Sequence, residues 1–180
     1  MADKLKIGDD APNFDLTSTE DALLMLRDEV PRMFVVLYFF DDPAPERLRG
    51  ELAQLERART ELLSKRIVIL GISKTKMPIL KQTQKDLHLL FPLLNDDRNF
   101  ATSYGITPAE DAEPEPAMFL VDRDQKILWE ANPASSVEAC IQEVLAIVRR
   151  QPSQTSNLPS TVVNRVVDWW VNRARGPRVA

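Results

Sequence analysis

The stretch Phe34-Val-Val-Leu-Tyr-Phe-Phe40 decides the fold, because an unbroken run of β-branched and aromatic residues is typical of a strand buried on both faces. The stretch Ile67-Val-Ile-Leu-Gly-Ile72 repeats that pattern. Between the two, leucines recur with helical spacing from Leu48 to Leu63. The sequence therefore predicts a strand-helix-strand unit at the centre of an α/β domain.

Further elements are predicted on both sides of this unit. Before it come a short extended piece at residues 14–16 and a helical pattern at Leu23, Leu24 and Leu26. After it come a polar helix at 78–87, a short strand and turn at 91–96 and a helical turn at 99–104. A hairpin at 117–129 and a helix at 136–150, with Ser135 or Ser136 as its N-cap, complete the domain. This order indicates a parallel crossover joined to an antiparallel pair.

Composition excludes several classes of protein. The chain has 180 residues, 44% of them hydrophobic, which suits one domain with a buried core and an appended element. Its net charge of -4 disfavours nucleic acid as a partner. No run approaches the ~20 apolar residues that cross a bilayer, and the polar start lacks a signal-peptide core, so we expect a cytoplasmic protein.

Metal and cofactor sites are not expected. Cys140 is the only cysteine and His88 the only histidine, so neither a disulfide nor a metal site built from these two residue types is expected. His88 is interpreted as a surface or boundary residue. The acidic, proline-rich loop at 107–116 lacks the fixed spacing of a calcium loop and is interpreted as solvated; its carboxylates are Glu110, Asp111, Glu113 and Glu115. Five glycines leave little material for a phosphate-binding loop.

Several motifs together resemble one known family. Leu5-Lys-Ile-Gly-Asp-Asp-Ala-Pro-Asn-Phe-Asp-Leu16, Phe91-Pro-Leu-Leu-Asn-Asp96 and Met118-Phe-Leu-Val-Asp122 occur in the order found in alkyl hydroperoxide reductase and thiol-specific antioxidant proteins. The resemblance covers residues 5 to 150. It implies a thioredoxin-like fold with a mixed central sheet flanked by helices, as in peroxiredoxins.

The family's active-site positions have all changed. Counting without gaps from Tyr38, the resemblance places the family's proline at Asp41, its threonine at Pro45 and its peroxidatic cysteine at Leu48. The thiolate-stabilising arginine falls on Pro116, which suits either a cis-proline before the strand or a trans-proline closing the loop. Leucine is no nucleophile, and the carboxylates of Asp41, Asp42 and Glu46 would raise the pKa of a thiol placed there. We therefore expect no catalytic residue at this loop.

Cys140 has two interpretations. It shares a helical face with Val137, Ile141, Val144 and Val148, and a cysteine on a packed face is usually an inert small hydrophobe. The alternative is a redox-sensing or resolving thiol.

The segment after residue 150 extends beyond the resemblance. A polar linker at 151–159 is followed by a predicted amphipathic helix and tail at 160–180, which carry a charge of +3 from Pro152 onward. Its apolar face includes Val162, Val166, Trp169 and Trp170, while Arg165, Arg173 and Arg175 supply positive charge. Such a helix either folds back onto its own domain or binds a partner or a membrane surface.

Three functions fit these observations. The first is a redox-inactive, peroxiredoxin-like accessory or assembly subunit that binds a protein partner, or its own twin, through the C-terminal helix. The second is a thiol-dependent oxidoreductase that uses Cys140 or a partner's cysteine. The third is a chaperone-like factor in the maturation of metalloenzymes.

Overall fold

The computed structural model describes residues 5–29, 33–106, 115–132, 134 and 136–151. Contacts divide the chain into two compact units, residues 1–149 and residues 150–180. Only residues 150 and 151 of the second unit are among those described, so the predicted C-terminal helix lies outside them.

Seven strands form one mixed sheet in the described part of the chain, in the order β2-β1-β5-β4-β3-β6-β7. The strands are β1 (Asp15–Ser18), β2 (Leu23–Met25), β3 (Phe34–Phe40), β4 (Ile67–Ser73), β5 (Leu93–Asn95), β6 (Ala117–Val121) and β7 (Ile127–Ala131). Strands β3, β4 and β5 are parallel, while β6 and β7 continue the sheet antiparallel on one side and β1 and β2 on the other. The predicted crossover and antiparallel pair are confirmed.

The helices are α1 (Leu26–Glu29), α2 (Glu46–Ser64), α3 (Met77–Asp86) and α4 (Val137–Arg150), with a short 3-10 helix at Phe100–Tyr104. Ser136 lies directly before α4, and its Oγ accepts a hydrogen bond from the backbone N–H of Ala139 at 3.4 Å. The pattern at residues 23–26 was interpreted wrongly as a helix. Leu23 to Met25 instead pair with β1, because burying Leu24 beside Leu16 in a hairpin uses their alternation, and only Leu26 begins a helical turn.

The main core lies between one face of the sheet and the helices α2, α3 and α4. Val36 and Tyr38 of β3 face this core, and from the helices Leu52, Leu80 and Val144 pack into it with almost no exposure. On the opposite face, the rings of Phe39, Phe119 and Tyr104 lie 5.0 to 5.8 Å apart between centroids. Both faces of β3 are therefore covered, as its continuous apolar sequence predicts.

An N-terminal segment protects the edge of β7 at its beginning. The backbone N–H of Gly8 donates to the Ile127 carbonyl at 2.8 Å, and the N–H of Ile127 donates to the Asp9 carbonyl at 2.9 Å. Lys126 Nζ and Asp10 Oδ1 form an ion pair at 2.7 Å beside these bonds. The segment thereby satisfies backbone groups that would otherwise lie open at a sheet edge.

Candidate functional site

The first turn of α2 begins where the central strand ends, at the carboxyl edge of the parallel strands where α/β proteins commonly hold their ligands. Leu48 lies in this turn and is only 4% exposed, because its side chain packs into the main core. Sequence resemblance equates this position with the family's peroxidatic cysteine. The side chain is therefore an apolar contact of the core and offers no reactive atom.

The loop between β3 and α2 is tied to the end of β4. The carbonyl oxygen of Asp41 accepts hydrogen bonds from Ser73 Oγ at 2.6 Å and from Thr75 Oγ1 at 2.9 Å. Asp42 Oδ1 accepts a bond from the backbone N–H of Ala44 at 2.9 Å. Pro45 then precedes α2 without any side-chain capping bond. The loop is held firmly, although the hydroxyl that the family places at position 45 is missing.

Pro116 closes the other side of this region. It is buried directly before β6, and its carbonyl oxygen accepts a hydrogen bond from the backbone N–H of Ala134 at 2.7 Å. The next residue, Ala117, pairs with Phe39 near the end of β3. The positions that resemblance assigns to the thiolate and its arginine therefore flank the same end of β3, and neither carries a polar side chain.

A buried polar pair lies beneath the first turns of α2. The hydroxyl of Tyr38, a residue with no exposed surface, donates a hydrogen bond to Glu51, whose other oxygen contacts Arg47 Nη1 at 3.1 Å. Burial raises the pKa of Tyr38 far above its usual value, and the bond to Glu51 raises it further. The phenol is a neutral hydrogen-bond donor at any physiological pH.

Cys140 lies on the inner face of α4 and is 3% exposed. Burial raises the pKa of its thiol, and the carboxylates of Glu143 and Glu51 raise it further, against a smaller lowering by its hydrogen bond with the Ser136 backbone. Glu143 in turn accepts a hydrogen bond from Trp129 Nε1 at 2.8 Å. The thiol is therefore held protonated and out of reach of water.

The other predicted residues are distributed as follows. His88 is exposed just after α3 and has a left-handed backbone, with φ of 51°. Glu115 is exposed, while the other acidic residues of its loop lie outside the described part of the chain. Also outside it are the partner-binding candidates Val162, Arg165, Val166, Trp169, Trp170, Arg173 and Arg175.

Sequence reasoning missed the contact between Tyr38 and Glu51. Tyr38 was interpreted only as part of a strand, although it carries the one hydroxyl in that apolar run. That hydroxyl was a signal, since a buried phenol normally finds a hydrogen-bond partner. The identity of the partner depended on how α2 docks on the sheet.

Within the described ranges, no group of three His, Cys, Asp or Glu side chains is arranged to hold a metal ion. No helix among these residues is long and apolar enough to cross a bilayer.

Comparison with known proteins places this geometry. The sequence model of the AhpC/TSA family matches residues 7–130. No curated protein sequence matches the chain. Among solved structures, peroxidoxin BcpB from Mycobacterium tuberculosis is similar with a TM-score of 0.75 and 22% identity, covering 83% of this chain and 99% of that one.

Two further structures share the architecture. A cysteine-to-serine mutant of PrxQ from Xylella fastidiosa has a TM-score of 0.71 and 17% identity, covering 79% of this chain and 96% of that one. A peroxiredoxin-like protein from Aquifex aeolicus has a TM-score of 0.68 and 14% identity, covering 80% and 88% of the two chains. At these identities the structural similarity establishes the fold alone.

Proposed function

This chain belongs to the AhpC/TSA family, and from that membership we propose that it is a member without peroxidase activity whose scaffold serves as a binding or accessory subunit. The observation that carries the proposal is the buried leucine in the first turn of α2. Leu48 points into the core at the position that resemblance assigns to the nucleophile. A peroxide-reducing thiol must instead present a thiolate to its substrate at that place.

The chain's own thiol does not replace the missing nucleophile. Cys140 is buried in α4, and both its burial and the neighbouring carboxylates raise its pKa. A thiol attacks a peroxide oxygen as the thiolate, so each of these effects slows the reaction. This argues against a thiol-dependent oxidoreductase that relies on Cys140.

The loop that would surround a peroxide supports the same proposal. Asp41 and Asp42 bring carboxylates to it, and Pro116 brings no cation. A site for a thiolate and a polarised peroxide needs positive charge and hydrogen-bond donors. The bonds that Ser73 and Thr75 make to the Asp41 carbonyl keep this loop in one conformation, which suits a scaffold for binding.

The binding role is assigned to the segment after residue 150. Its sequence combines an apolar face, containing Trp169 and Trp170, with several arginines, and such residues commonly dominate protein interfaces. We propose a protein partner or a second copy of the chain as the occupant of this face, with an acidic membrane surface as the other candidate. A location in the cytoplasm, in contact with a larger complex, is part of the same proposal.

The experiment that tests the proposal measures peroxide consumption. Purified full-length protein is incubated with hydrogen peroxide or an organic hydroperoxide and a thiol donor, beside an established peroxiredoxin as positive control. We expect a rate equal to the donor's background. A rate well above that background which disappears in Cys140→Ser would overturn the proposal in favour of an active oxidoreductase.

A further inference from the structure

Two arginines meet at the end of the sheet opposite to Leu48. Arg66 directly precedes β4 and Arg123 follows the end of β6, and between these strands lies Phe34, the first residue of β3. The backbone N–H of Phe34 donates to the Arg66 carbonyl at 2.9 Å, and the Arg123 guanidinium carbon lies 4.9 Å from the centre of the Phe34 ring. β3 separates this place from Leu48 by about 20 Å of strand.

The Arg123 guanidinium has an unused donor. Its Nε is buried from solvent and has no hydrogen-bond partner among the described residues. A buried donor without a partner is costly, and more so when it belongs to a charged group. The ring of Phe34 holds the guanidinium by a cation-π contact but accepts no conventional hydrogen bond from this nitrogen.

The charge of Arg66 adds to this cost. Burial lowers the pKa of Arg123, and the nearby positive charge of Arg66 lowers it further, more than the exposed Asp124 offsets. Within the described part of the chain, neither arginine forms an ion pair with a carboxylate. Two like charges therefore lie close together without a counter-charge.

Both arginines stand on well-ordered supports. Arg123 lies in the hairpin turn that the Asp122 carboxylate fixes through the backbone N–H groups of Asp124 and Lys126, each at 2.8 Å. Arg66 follows α2 in a left-handed conformation, with φ of 60°, at a position where helices usually end on glycine. Its N–H still donates to the Leu63 carbonyl at 2.9 Å, so the backbone is held in place.

We propose that Arg66 and Arg123, above the ring of Phe34, form a binding site for a small oxyanion with two negative charges, of the phosphate or sulfate class. A dianion neutralises both guanidiniums at once and accepts a hydrogen bond from the unused Nε of Arg123, whereas a monocarboxylate balances only one charge. Guanidinium groups match the geometry of phosphate and sulfate oxygens. The site does not depend on the redox state of the protein or on its lack of peroxidase activity.

The test is calorimetric titration of the full-length protein with inorganic phosphate, and separately with sulfate and acetate, at constant ionic strength. We expect saturable binding of one phosphate or sulfate per chain and much weaker binding of acetate. Arg66→Asn keeps a residue that tolerates the left-handed backbone, and Arg123→Gln keeps a polar side chain. Each should weaken phosphate binding by about tenfold or more, since each removes a charge-assisted contact.

Arg149→Gln is the matched control, because it removes an exposed arginine from α4 and should leave phosphate affinity within about twofold. Circular dichroism without phosphate establishes that each variant is folded, and either of the two site variants alone suffices for the comparison. Absence of saturable binding to the wild type would overturn the proposal. So would equal phosphate affinity in wild type and variants, or equal affinity for acetate.

Discussion

The hydroxyl of Tyr38 donates to the carboxylate of Glu51, and this bond joins the centre of the sheet to α2 one turn after Leu48. The bond places a neutral phenol and a half-buried carboxylate under the helix turn that carries the reactive cysteine in peroxiredoxins. It stabilises the docking of α2 and leaves no donor facing outward. The side of α2 that faces the sheet thus has a structural role, and its consequences can be measured.

The first prediction concerns alkaline pH. The pKa values of both tyrosines, Tyr38 and Tyr104, are raised in the folded protein, mainly by burial. Above the unfolded tyrosine pKa of about 10, the unfolded chain loses these protons and the folded chain keeps them. The stabilising difference is therefore fully present below pH ~10, and stability falls as pH rises further, by about 1.4 kcal/mol per pH unit for each tyrosine.

Urea unfolding between pH ~9 and pH ~11.5 measures this slope. Tyr104→Phe should reduce the slope by the contribution of one tyrosine, while the lysines titrate alike in both proteins. An unchanged slope in the variant would show that Tyr104 ionises as readily when folded as when unfolded.

The second prediction is that Cys140 reacts slowly. Because its thiol is buried and its pKa is raised, native protein should react with a maleimide far more slowly than protein in denaturant. The matched control is Ala139→Cys in a Cys140→Ser background, which moves the thiol to an exposed position of the same helix. This control should label rapidly. If native Cys140 labels as fast as the control, a sensing role becomes the better interpretation.

The third prediction is that Leu48→Cys does not restore peroxidase activity. The new thiol would take the place of a side chain that is 4% exposed, with no cation from Pro116 to stabilise its thiolate. Hydroperoxide consumption in a Cys140→Ser background measures its effect without the native thiol. Turnover close to that of an established peroxiredoxin would mean that the loop can still support catalysis.

The fourth prediction compares two glycines. A Cβ atom at Gly71 in β4 would lie 2.6 Å from Leu93 Cδ2 and 3.3 Å from Phe40 Cε1, so Gly71→Ala should destabilise the protein by about 1–3 kcal/mol. A Cβ at Gly50 in α2 meets no atom within 4 Å, so Gly50→Ala should stabilise it by about 0.5–1 kcal/mol through helix propensity. Denaturant unfolding compares the two variants with wild type. A stable Gly71→Ala protein would show that Leu93 moves aside at little cost.

The fifth prediction tests the binding role of the C-terminal segment in the full chain. Trp169→Ala with Trp170→Ala should remove self-association or capture by a partner, because two tryptophans can supply several kcal/mol to an interface. The control variant, Asn164→Ala with Asn172→Ala, changes the opposite face of the predicted helix. Sedimentation measures self-association, and co-purification from native cells measures partner binding. If both double variants associate as wild type does, the tryptophan face is not the interface.

The elements of the sheet could be predicted where the pattern was continuous. The runs at β3 and β4 are apolar throughout because strands covered on both faces have no outward polar side, and the structure confirms both. Residues 23–26 could not be assigned in this way. A leucine-rich stretch of that length fits both periodicities, and pairing with β1 decided it, which is a contact between segments.

For the site, the sequence by itself determined which chemistry is missing: a chain without a cysteine near residue 48 has no nucleophile there, whatever its fold. Only the tertiary structure decided which side chains meet. Tyr38 reaches Glu51, and Arg123 lies over Phe34 near Arg66, because the docking of α2 and the register of β3 with β4 and β6 bring distant positions together. The physical reason is that the energies of hydrogen bonds and charges depend on distance and burial, and both are fixed only when the chain is packed.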